Sequence, residues 1–194
     1  MSLDPQFWND LYHHNLTAWD MGRVSPPLEA YFSQLRDKTL SILIPGCGNS
    51  YEAAWLVEQG HTAITLIDIS DLLTSRLRAQ FTIPIITGDF FQHTGSYDLI
   101  VEQTFFCALQ PHLRPQYVEH MHSLLRPGGK LIGLLFDRDF PDDGPPFGGH
   151  EPEYRKLLEN RFALKTLAPC YNSIKPRAGS ELFFIAQKQV SIPE

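Results

Sequence analysis

A glycine-rich turn separates an apolar run from a helical pattern in the first third of the chain. Residues 42–44 are apolar, residues 45–50 read PGCGNS, and the helical pattern covers 51–59. In an open α/β sheet, ligands bind at the carboxyl ends of the strands, where such turns lie. Because glycine has no Cβ, a ligand can approach the backbone of Gly46 and Gly48, and the following helix offers unpaired N–H groups.

A carboxylate marks the end of the next apolar run. Asp68 closes residues 63–68 and lies 20 residues after Gly48. A carboxylate there can accept hydrogen bonds from both hydroxyls of a ribose, as in nucleotide-binding folds. A dinucleotide site needs a small residue three positions after the second glycine, but this chain has Tyr51 there. The motif therefore favours a nucleoside without a pyrophosphate, and S-adenosylmethionine is such a ligand.

Three further segments agree with a nucleoside site. Asp89 and Phe90 follow the third apolar run, where a polar group can meet the adenine amino group and a ring can cover the adenine face. Glu102 lies at the end of the fourth run, near the expected position of the ligand's ammonium group. A turn at 126–129 (RPGG) precedes the fifth run. Each segment is a weak signal alone, but their order and spacing after the glycine-rich turn predict one cofactor site.

The elements that must position these residues alternate between strands and helices, which is typical of βα units around a parallel sheet. We predict strands over 40–44, 63–68, 83–87, 97–103, 131–136, 162–170 and 181–187, and helices over 51–59, 72–81, 115–125 and 151–160. Pro84 favours an edge position for the third strand. The sequence therefore predicts an α/β fold: a three-layer, Rossmann-like, mostly parallel sheet of seven strands, with a carboxy-terminal antiparallel hairpin and an amino-terminal helical lid.

Composition and charge exclude several classes of protein. The 194 residues are 43% hydrophobic and 20% charged, which is ordinary for a globular chain. Residues 1–150 carry 9 Lys and Arg against 17 Asp and Glu, so this part would repel a phosphate backbone. The three cysteines lie far apart without CxxC spacing, which favours a reducing compartment. No apolar run reaches the roughly 20 residues that span a bilayer. We therefore expect a cytoplasmic protein without a metal site that binds neither nucleic acid nor a membrane.

These motifs resemble those of the class I S-adenosylmethionine-dependent methyltransferases. Within them, the chain is similar to the thiopurine S-methyltransferase family and its plant thiol and halide methyltransferase branch. The matching segments are 19–23 (WDMGR), 45–48 (PGCG), 105–109 (FFCAL) and 144–147 (GPPF), with Arg114 and Pro115 behind the third. The resemblance covers nearly the whole chain. We expect one methyltransferase domain over 1–194, with a lid at 1–38, a cofactor-binding α/β core at 39–194 and an acceptor loop at 137–150.

The resemblance implies that amino-terminal aromatic residues fold over the S-adenosylmethionine. The cofactor contacts that it implies from the lid are Trp8, Tyr12 and Trp19. Those expected beneath the lid are Gly46, Cys47, Gly48, Asp68, Ile69, Asp89, Phe90 and Glu102. In the branch, a tyrosine often follows the acidic end of the fourth strand, where this chain has Gln103. That departure concerns the acceptor.

The chemistry favours a small, soft acceptor. Methyl transfer from a sulfonium is an in-line displacement, in which the protein mainly aligns the reactants and excludes water. A thiol has a pKa of about 8.5 and so supplies some thiolate without a dedicated base, and we predict no catalytic side chain. We predict that Phe105, Phe106 and Phe147 form an apolar acceptor pocket, and that Arg23 meets an anionic group of the acceptor.

The sequence leaves the identity of the acceptor open. A thiol, in a thiopurine or another small molecule, is the leading candidate, ahead of a halide, carboxylate, hydroxyl or amine in the same fold. A non-catalytic interaction protein that binds S-adenosylmethionine is the alternative outside the enzymes. We expect a monomer or weak dimer that acts on a small molecule and releases S-adenosyl-L-homocysteine.

Overall fold

The computed structural model describes residues 3–141 and 143–190. The chain divides into two compact units, with the boundary between Thr94 and Gly95, and each unit is described by itself. The expected single domain over 1–194 stays a prediction. Its residues 1, 2, 142 and 191–194 lie outside the described part, and residue 142 belongs to the expected acceptor loop.

The first unit combines helices with short parallel strands. Its helices are α1 (Pro5–His13), α2 (Pro26–Phe32), α3 (Tyr51–Glu58) and α4 (Asp71–Arg78), and its strands are β1 (Ile42–Pro45), β2 (Ile64–Asp68) and β3 (Ile85–Thr87). Polar side chains fix where two of the helices begin, as N-caps do. The Asp4 carboxylate accepts a hydrogen bond from the Phe7 N–H at 3.0 Å at the start of α1. Ser70 Oγ accepts one from the Leu73 N–H at 3.1 Å at the start of α4.

The strands of the first unit lie in the order β3-β2-β1, and both pairs are parallel. Every residue of β1 is buried, as expected for a parallel strand that is covered on both faces. β3 lies at the sheet edge, which confirms the position that Pro84 favours. The strand begins at Ile85, after the proline, because proline has no N–H to pair with a neighbouring strand.

The second unit contains the remaining strands. Its elements are β4 (Tyr97–Gln103), α5 (Arg114–Leu124), β5 (Leu125–Phe136), α6 (Glu151–Glu159), β6 (Ala163–Pro169) and β7 (Glu181–Gln187), with 3-10 turns at Phe106–Ala108, Pro111–Leu113 and Lys175–Arg177. These strands lie in the order β4-β5-β7-β6. β4 and β5 are parallel, whereas β7 is antiparallel to both of its neighbours. Leu99, Ile100 and Val101 of β4 are buried, as their apolar run predicts.

β5 is longer than the sequence predicts. The predicted turn at 126–129 forms the first part of the strand instead. The Gly128 N–H donates to the Lys188 carbonyl at 2.9 Å, and the Lys188 N–H donates to the Gly129 carbonyl at 2.9 Å. Gly128 has a φ of 81°, which glycine adopts without a steric penalty. Because Lys188 is distant in sequence, a local pattern does not reveal this pairing.

The predicted fold class is confirmed. The strands form a seven-stranded, mostly parallel, Rossmann-like sheet with an antiparallel carboxy-terminal hairpin. The helices predicted over 51–59, 72–81, 115–125 and 151–160 correspond to α3, α4, α5 and α6, with ends that differ by one to three residues. Within the part of the chain that the structure describes, no helix is both long and apolar enough to cross a membrane.

Candidate functional site

The glycine-rich turn after β1 has the backbone conformation that its glycines suggest. Gly46 has a φ of 54° and Gly48 a φ of 52°, a left-handed region where side chains with a Cβ are disfavoured. Cys47 between them is buried, and its carbonyl accepts a hydrogen bond from the Ser50 N–H at 3.0 Å. The turn therefore presents backbone rather than side chains in front of α3, as a ligand that must approach closely requires.

Asp68, at the end of β2, is hydrogen-bonded to this turn. The Gly48 N–H donates to its Oδ2 at 3.4 Å, and the Ser70 N–H donates to its Oδ1 at 3.0 Å. The residue is 8% exposed, and burial raises the pKa of the carboxyl to about 6. At neutral pH the group is mostly ionised and can accept hydrogen bonds from hydroxyl groups. Ile69, the next residue, is half-buried.

Aromatic residues of α1 and the segment after it pack beside the glycine-rich turn. The rings of Trp8 and Tyr12 each lie edge-on to Trp19, with centroids 5.8 Å apart in both pairs. Tyr12 is buried, and a Cβ added at Gly48 would lie 3.8 Å from its hydroxyl. Burial raises the pKa of the Tyr12 phenol above its usual range, so the hydroxyl stays neutral. The first unit thus brings these predicted aromatic residues together with Gly48.

An acidic residue that sequence reasoning missed fastens this aromatic segment. Asp20 accepts hydrogen bonds from the Gly22 N–H at 2.7 Å, from the Tyr51 hydroxyl at 3.1 Å and from the Asn49 side-chain amide. Tyr51 therefore holds the segment after α1 with its hydroxyl, at the position where a dinucleotide site needs a small residue. The signal for Asp20 was present in the sequence, because it lies inside the matching segment 19–23.

A second polar link joins α1 to the start of α4. The Asn9 amide donates to the Asp71 carboxylate at 2.6 Å, and Ser70 Oγ donates to Asn9 Oδ1 at 2.6 Å. Since Ser70 also hydrogen-bonds to Asp68 through its N–H, this link ends beside the carboxylate expected to bind ribose. No sequence motif points to Asn9.

The other residues predicted in the first unit have separate environments. Asp89 is exposed and accepts a hydrogen bond from the Phe91 N–H at 2.9 Å, which caps a 3-10 turn at Phe90–Gln92. Phe90 is buried, 5% exposed. The Gly88 N–H donates to the Asp68 carbonyl at 2.9 Å, so the segment that holds Asp89 is tied to the end of β2. Arg23 is exposed between α1 and α2.

In the second unit, Glu102 near the end of β4 is entirely buried. Its Oε1 accepts hydrogen bonds from the Phe105 and Phe106 N–H groups, each at 2.8 Å. Its Oε2 accepts one from the Tyr117 hydroxyl at 2.6 Å. Burial raises the pKa of the carboxyl to about 7. The sequence did not predict these three hydrogen bonds, and the expected contact of Glu102 with the cofactor ammonium group stays a prediction.

The two phenylalanines after β4 differ in exposure. Phe106 is 3% exposed, with its ring 5.1 Å from Tyr117 and 5.5 Å from Tyr154 between centroids. Phe105 is half-buried, and its ring centroid lies 6.1 Å from that of Tyr117. Phe106 therefore belongs to the core of the unit, whereas Phe105 is the one that a small molecule can reach.

The loop after β5 is hydrogen-bonded to the turn that follows β4. The Phe147 N–H donates to the Cys107 carbonyl at 2.7 Å, and Arg114 donates to the Gly148 carbonyl at 2.7 Å. The Arg114 guanidinium also lies 4.8 Å from the centroid of the Phe106 ring and is 2.7 Å from Glu153. The structure thus brings Phe105, Phe106 and Phe147 into one region of the second unit. Arg114, which lies behind the matching segment 105–109, connects the parts of this region.

Comparison with known proteins identifies the family of the chain. The model of one family, described as thiopurine S-methyltransferase, matches residues 3–188. The chain belongs to the thiopurine S-methyltransferase family. This confirms the resemblance stated from the sequence, the class of enzyme and the cofactor, S-adenosylmethionine.

Members and structural neighbours of the family span most of the chain. Probable thiol methyltransferase 2 of Arabidopsis thaliana is 31% identical over 184 residues, which cover 90% of this chain and 81% of the relative. Thiopurine S-methyltransferase of Vibrio cholerae is 30% identical over 179 residues, which cover 80% and 81%. Among solved structures, the 1,6-didemethyltoxoflavin-N1-methyltransferase of Burkholderia thailandensis, with bound S-adenosylhomocysteine, has a TM-score of 0.75 and 20% identity, over 95% of this chain and 87% of that one. The last likeness shows the shared fold.

Proposed function

We propose that this methyltransferase transfers the methyl group of S-adenosylmethionine to the sulfur of a small thiol. The observation that carries the choice of acceptor is the aromatic turn after β4, where Phe105 is half-buried beside Phe106 and attached to Phe147 through Cys107. Polarizable sulfur makes favourable contacts with aromatic rings. The names of the relatives, a probable thiol methyltransferase and a thiopurine S-methyltransferase, also support sulfur as the acceptor atom.

The residues of the first unit fit the adenosine part of the cofactor. We assign the ribose hydroxyls to Asp68, because the residue keeps 8% of its surface exposed and its carboxylate is held in place by backbone N–H groups. The turn from Gly46 to Gly48 is assigned to close contact with the cofactor, with Cys47 and Ile69 beside it. Asp89 and Phe90 are assigned to adenine. Trp8, Tyr12 and Trp19 are proposed to cover the ligand from the amino-terminal side.

The reaction asks the protein to orient the reactants rather than to move protons. When bound, S-adenosylmethionine supplies an electrophilic methyl group on a sulfonium. The acceptor loses its proton to solvent, a new sulfur–methyl bond forms as the sulfonium–methyl bond breaks, and S-adenosyl-L-homocysteine remains. A thiol has a pKa of about 8.5, so a useful thiolate fraction exists without a base. Alignment and the exclusion of water then supply the rate gain.

Arg23 is proposed to meet an anionic substituent of the acceptor, and this assignment is separate from the aromatic pocket. The side chain is exposed between α1 and α2, so it is available to a ligand. An acceptor pair that differs only in one carboxylate, such as benzenethiol and 4-mercaptobenzoate, tests it. In Arg23→Ala the preference for the carboxylated thiol should fall, and an unchanged preference would contradict the assignment.

A panel of acceptors with labelled S-adenosylmethionine tests the proposed acceptor class. The panel contains 6-mercaptopurine, benzenethiol, hydrogen sulfide, iodide, thiocyanate, benzoate, phenol and aniline. We expect the highest kcat/KM with a thiol. A higher value with iodide or thiocyanate, or with an oxygen or nitrogen acceptor, would contradict the thiol assignment. Tight binding of S-adenosylhomocysteine without turnover of any acceptor would instead favour a non-catalytic protein.

Phe105→Ala tests the proposed pocket. Because the ring is half-buried and lies in the proposed acceptor pocket, we expect the acceptor KM to rise by about tenfold and the Kd of S-adenosylhomocysteine to stay within about twofold. Phe162→Ala is the matched control, since Phe162 is buried in the same unit and packs on His122. That variant should lose stability with an unchanged acceptor KM. Equal losses of acceptor and cofactor affinity in Phe105→Ala would refute the pocket.

We propose that the protein is cytoplasmic and is a monomer or weak dimer. We also propose that it acts on a small molecule and does not bind nucleic acid. The free thiols of Cys47, Cys107 and Cys170 support a reducing compartment. The excess of acidic residues in 1–150 supports the proposal that nucleic acid is not a substrate. Light scattering at several concentrations and retention on a polynucleotide column test these points.

A further inference from the structure

Glu102 uses its carboxylate to organise the turn that follows it. Oε1 accepts hydrogen bonds from two successive backbone N–H groups, those of Phe105 and Phe106, and Oε2 accepts one from Tyr117. The side chain has no exposed surface. From this geometry we infer that Glu102 is a positioning residue for the acceptor side of the site, and that it does not contact the cofactor. The inference rests on the proposed function of that turn.

The backbone of this turn needs such support. Thr104 has a φ of 58°, a conformation that a β-branched residue adopts only at an energetic cost. The Cys107 thiol donates to the Thr104 carbonyl at 3.4 Å, and the Thr104 hydroxyl donates to the Gln103 carbonyl at 2.7 Å. The Glu102 carboxylate accepts hydrogen bonds from the N–H groups of Phe105 and Phe106, the two residues after Thr104. The turn is therefore held by Glu102 before Thr104 and by Cys107 after it.

The same carboxylate also fixes the aromatic packing. Tyr117 donates its hydroxyl to Glu102, while its ring lies 5.1 Å from that of Phe106 and 6.1 Å from that of Phe105. Tyr117 itself is 1% exposed. One carboxylate thereby sets the backbone of the two phenylalanines and the ring on which they pack.

The backbone of Glu102 is held from the neighbouring strand. In β5, Gly133 is the register partner of Glu102, and a Cβ added at Gly133 would overlap the Glu102 backbone oxygen. The close approach of these strands leaves the carboxylate little freedom to move. A carboxylate that is fixed, buried and already hydrogen-bonded to three donors is suited to hold the turn, not to bind a ligand that enters and leaves.

The test compares Glu102→Ala, Glu102→Gln and Tyr117→Phe with the unmodified chain. The probes are S-adenosylhomocysteine for cofactor affinity, by calorimetry, and benzenethiol and 6-mercaptopurine as acceptors. Amide hydrogen exchange of peptides that contain Phe105 and Phe106 reports the turn without any need for turnover. Phe162→Ala serves as the control for a general loss of stability.

In Glu102→Ala we expect kcat/KM for the acceptor to fall by about tenfold or more, mainly through KM, because the buried N–H of Phe106 and the half-buried N–H of Phe105 lose this acceptor. The Kd of S-adenosylhomocysteine should change by less than about twofold, since a positioning residue has no contact with it. The Phe105 and Phe106 amides should exchange faster than in the unmodified chain. Glu102→Gln keeps an oxygen for both N–H groups and should restore most of the protection and the acceptor KM.

Two results would overturn the inference. In Glu102→Ala, a rise in the Kd of S-adenosylhomocysteine as large as the rise in acceptor KM would show that Glu102 serves the cofactor site. Unchanged amide exchange at Phe105 and Phe106 in Glu102→Ala would show that the carboxylate does not hold the turn. If Glu102→Ala does not fold, Tyr117→Phe decides: a raised acceptor KM with an unchanged Kd supports the inference, and an unchanged KM refutes it.

These outcomes are distinct from a failure of the proposed function. If the unmodified chain methylates no acceptor on the panel, the thiol methyltransferase assignment fails. Amide hydrogen exchange in Glu102→Ala still tests whether Glu102 holds the turn in that case. If the unmodified chain methylates a thiol and Glu102→Ala leaves the acceptor KM unchanged, only the positioning role fails.

Discussion

Asp68→Asn should make the folded protein more stable at alkaline pH while weakening the cofactor site. Burial raises the pKa of the Asp68 carboxyl from 3.8 to about 6. Because a tenfold change in an acid constant corresponds to about 1.4 kcal/mol, holding the ionised group in the folded state costs roughly 3 kcal/mol at pH 8. Asparagine removes this cost, but it places an N–H group or a poorer acceptor near the Gly48 N–H. The weaker contact lowers the unfolding free energy by about 1 kcal/mol. The expected net gain in unfolding free energy is about 1–2 kcal/mol.

The sign of the pH dependence follows from the direction of the pKa change. Since the folded pKa of Asp68 is above the unfolded value, its contribution to stability is complete below pH 3.8 and is lost as the pH rises through about 6. Urea unfolding of the unmodified chain and of Asp68→Asn should therefore diverge between pH 4 and pH 8. Glu102 is present in both proteins, so its own titration cancels in the difference.

Cofactor binding should move in the opposite direction from stability. If Asp68 accepts ribose hydroxyls in its ionised form, Asp68→Asn should weaken S-adenosylhomocysteine by about tenfold to a hundredfold, the range for a hydrogen bond to a charged group. In the unmodified chain the affinity should also fall below pH 6, and in the variant it should not. Calorimetry at pH 5 and pH 8 measures both. An unchanged affinity in the variant, or a stability gain that does not depend on pH, would refute the reasoning.

Two further substitutions test the contacts that hold each unit together. Tyr51→Phe removes one hydrogen bond to Asp20 and should raise the dissociation rate of S-adenosylhomocysteine about fivefold, followed by tryptophan fluorescence in stopped flow. Tyr171→Phe, at a tyrosine that is 93% exposed, is the control and should have no effect. Arg114→Ala removes hydrogen bonds to the Gly148 carbonyl and Glu153 and the contact with the Phe106 ring, and should lower the unfolding free energy by about 2–3 kcal/mol in urea. Arg161→Ala, which breaks an exposed ion pair with Glu119, should cost less than about 1 kcal/mol. Equal effects of each substitution and its control would contradict these roles.

Much of the fold follows from local sequence patterns, because strand and helix periods and N-caps are local properties. The run Leu99, Ile100 and Val101 predicts a buried strand, and serine, the residue type at position 70, is favoured as the N-cap that begins a helix such as α4. The length of β5 does not follow, since its first residues pair with Lys188. Chain segments that are far apart in sequence decide such a pairing, and the RPGG motif alone favours a turn.

The candidate site divides in the same way. Gly46, Gly48 and Asp68 could be predicted because a glycine-rich turn and a carboxylate at strand ends are local motifs. The hydrogen bonds of Asp20 with Asn49 and Tyr51 join residues 29 and 31 positions apart, and those of Arg114 with Gly148 and Glu153 join residues 34 and 39 positions apart. Their donors and acceptors are evident in the sequence, but which ones meet depends on packing. The matching segments 19–23 and 105–109 contained or adjoined these residues without indicating their roles.

Asp68 and Glu102 show why a carboxylate at the end of a parallel strand has no fixed role. Both are buried, and burial raises the pKa of both. Asp68 keeps 8% of its surface exposed, whereas Glu102 keeps none. Because a ligand can bind only an atom that it reaches, this difference in exposure favours the proposed ligand role for Asp68 over the same role for Glu102. Both carboxylates accept hydrogen bonds from backbone N–H groups, but Glu102 also accepts one from the buried Tyr117 hydroxyl. Residue type and topological position are similar in the two cases, and exposure together with the Tyr117 hydroxyl separates them.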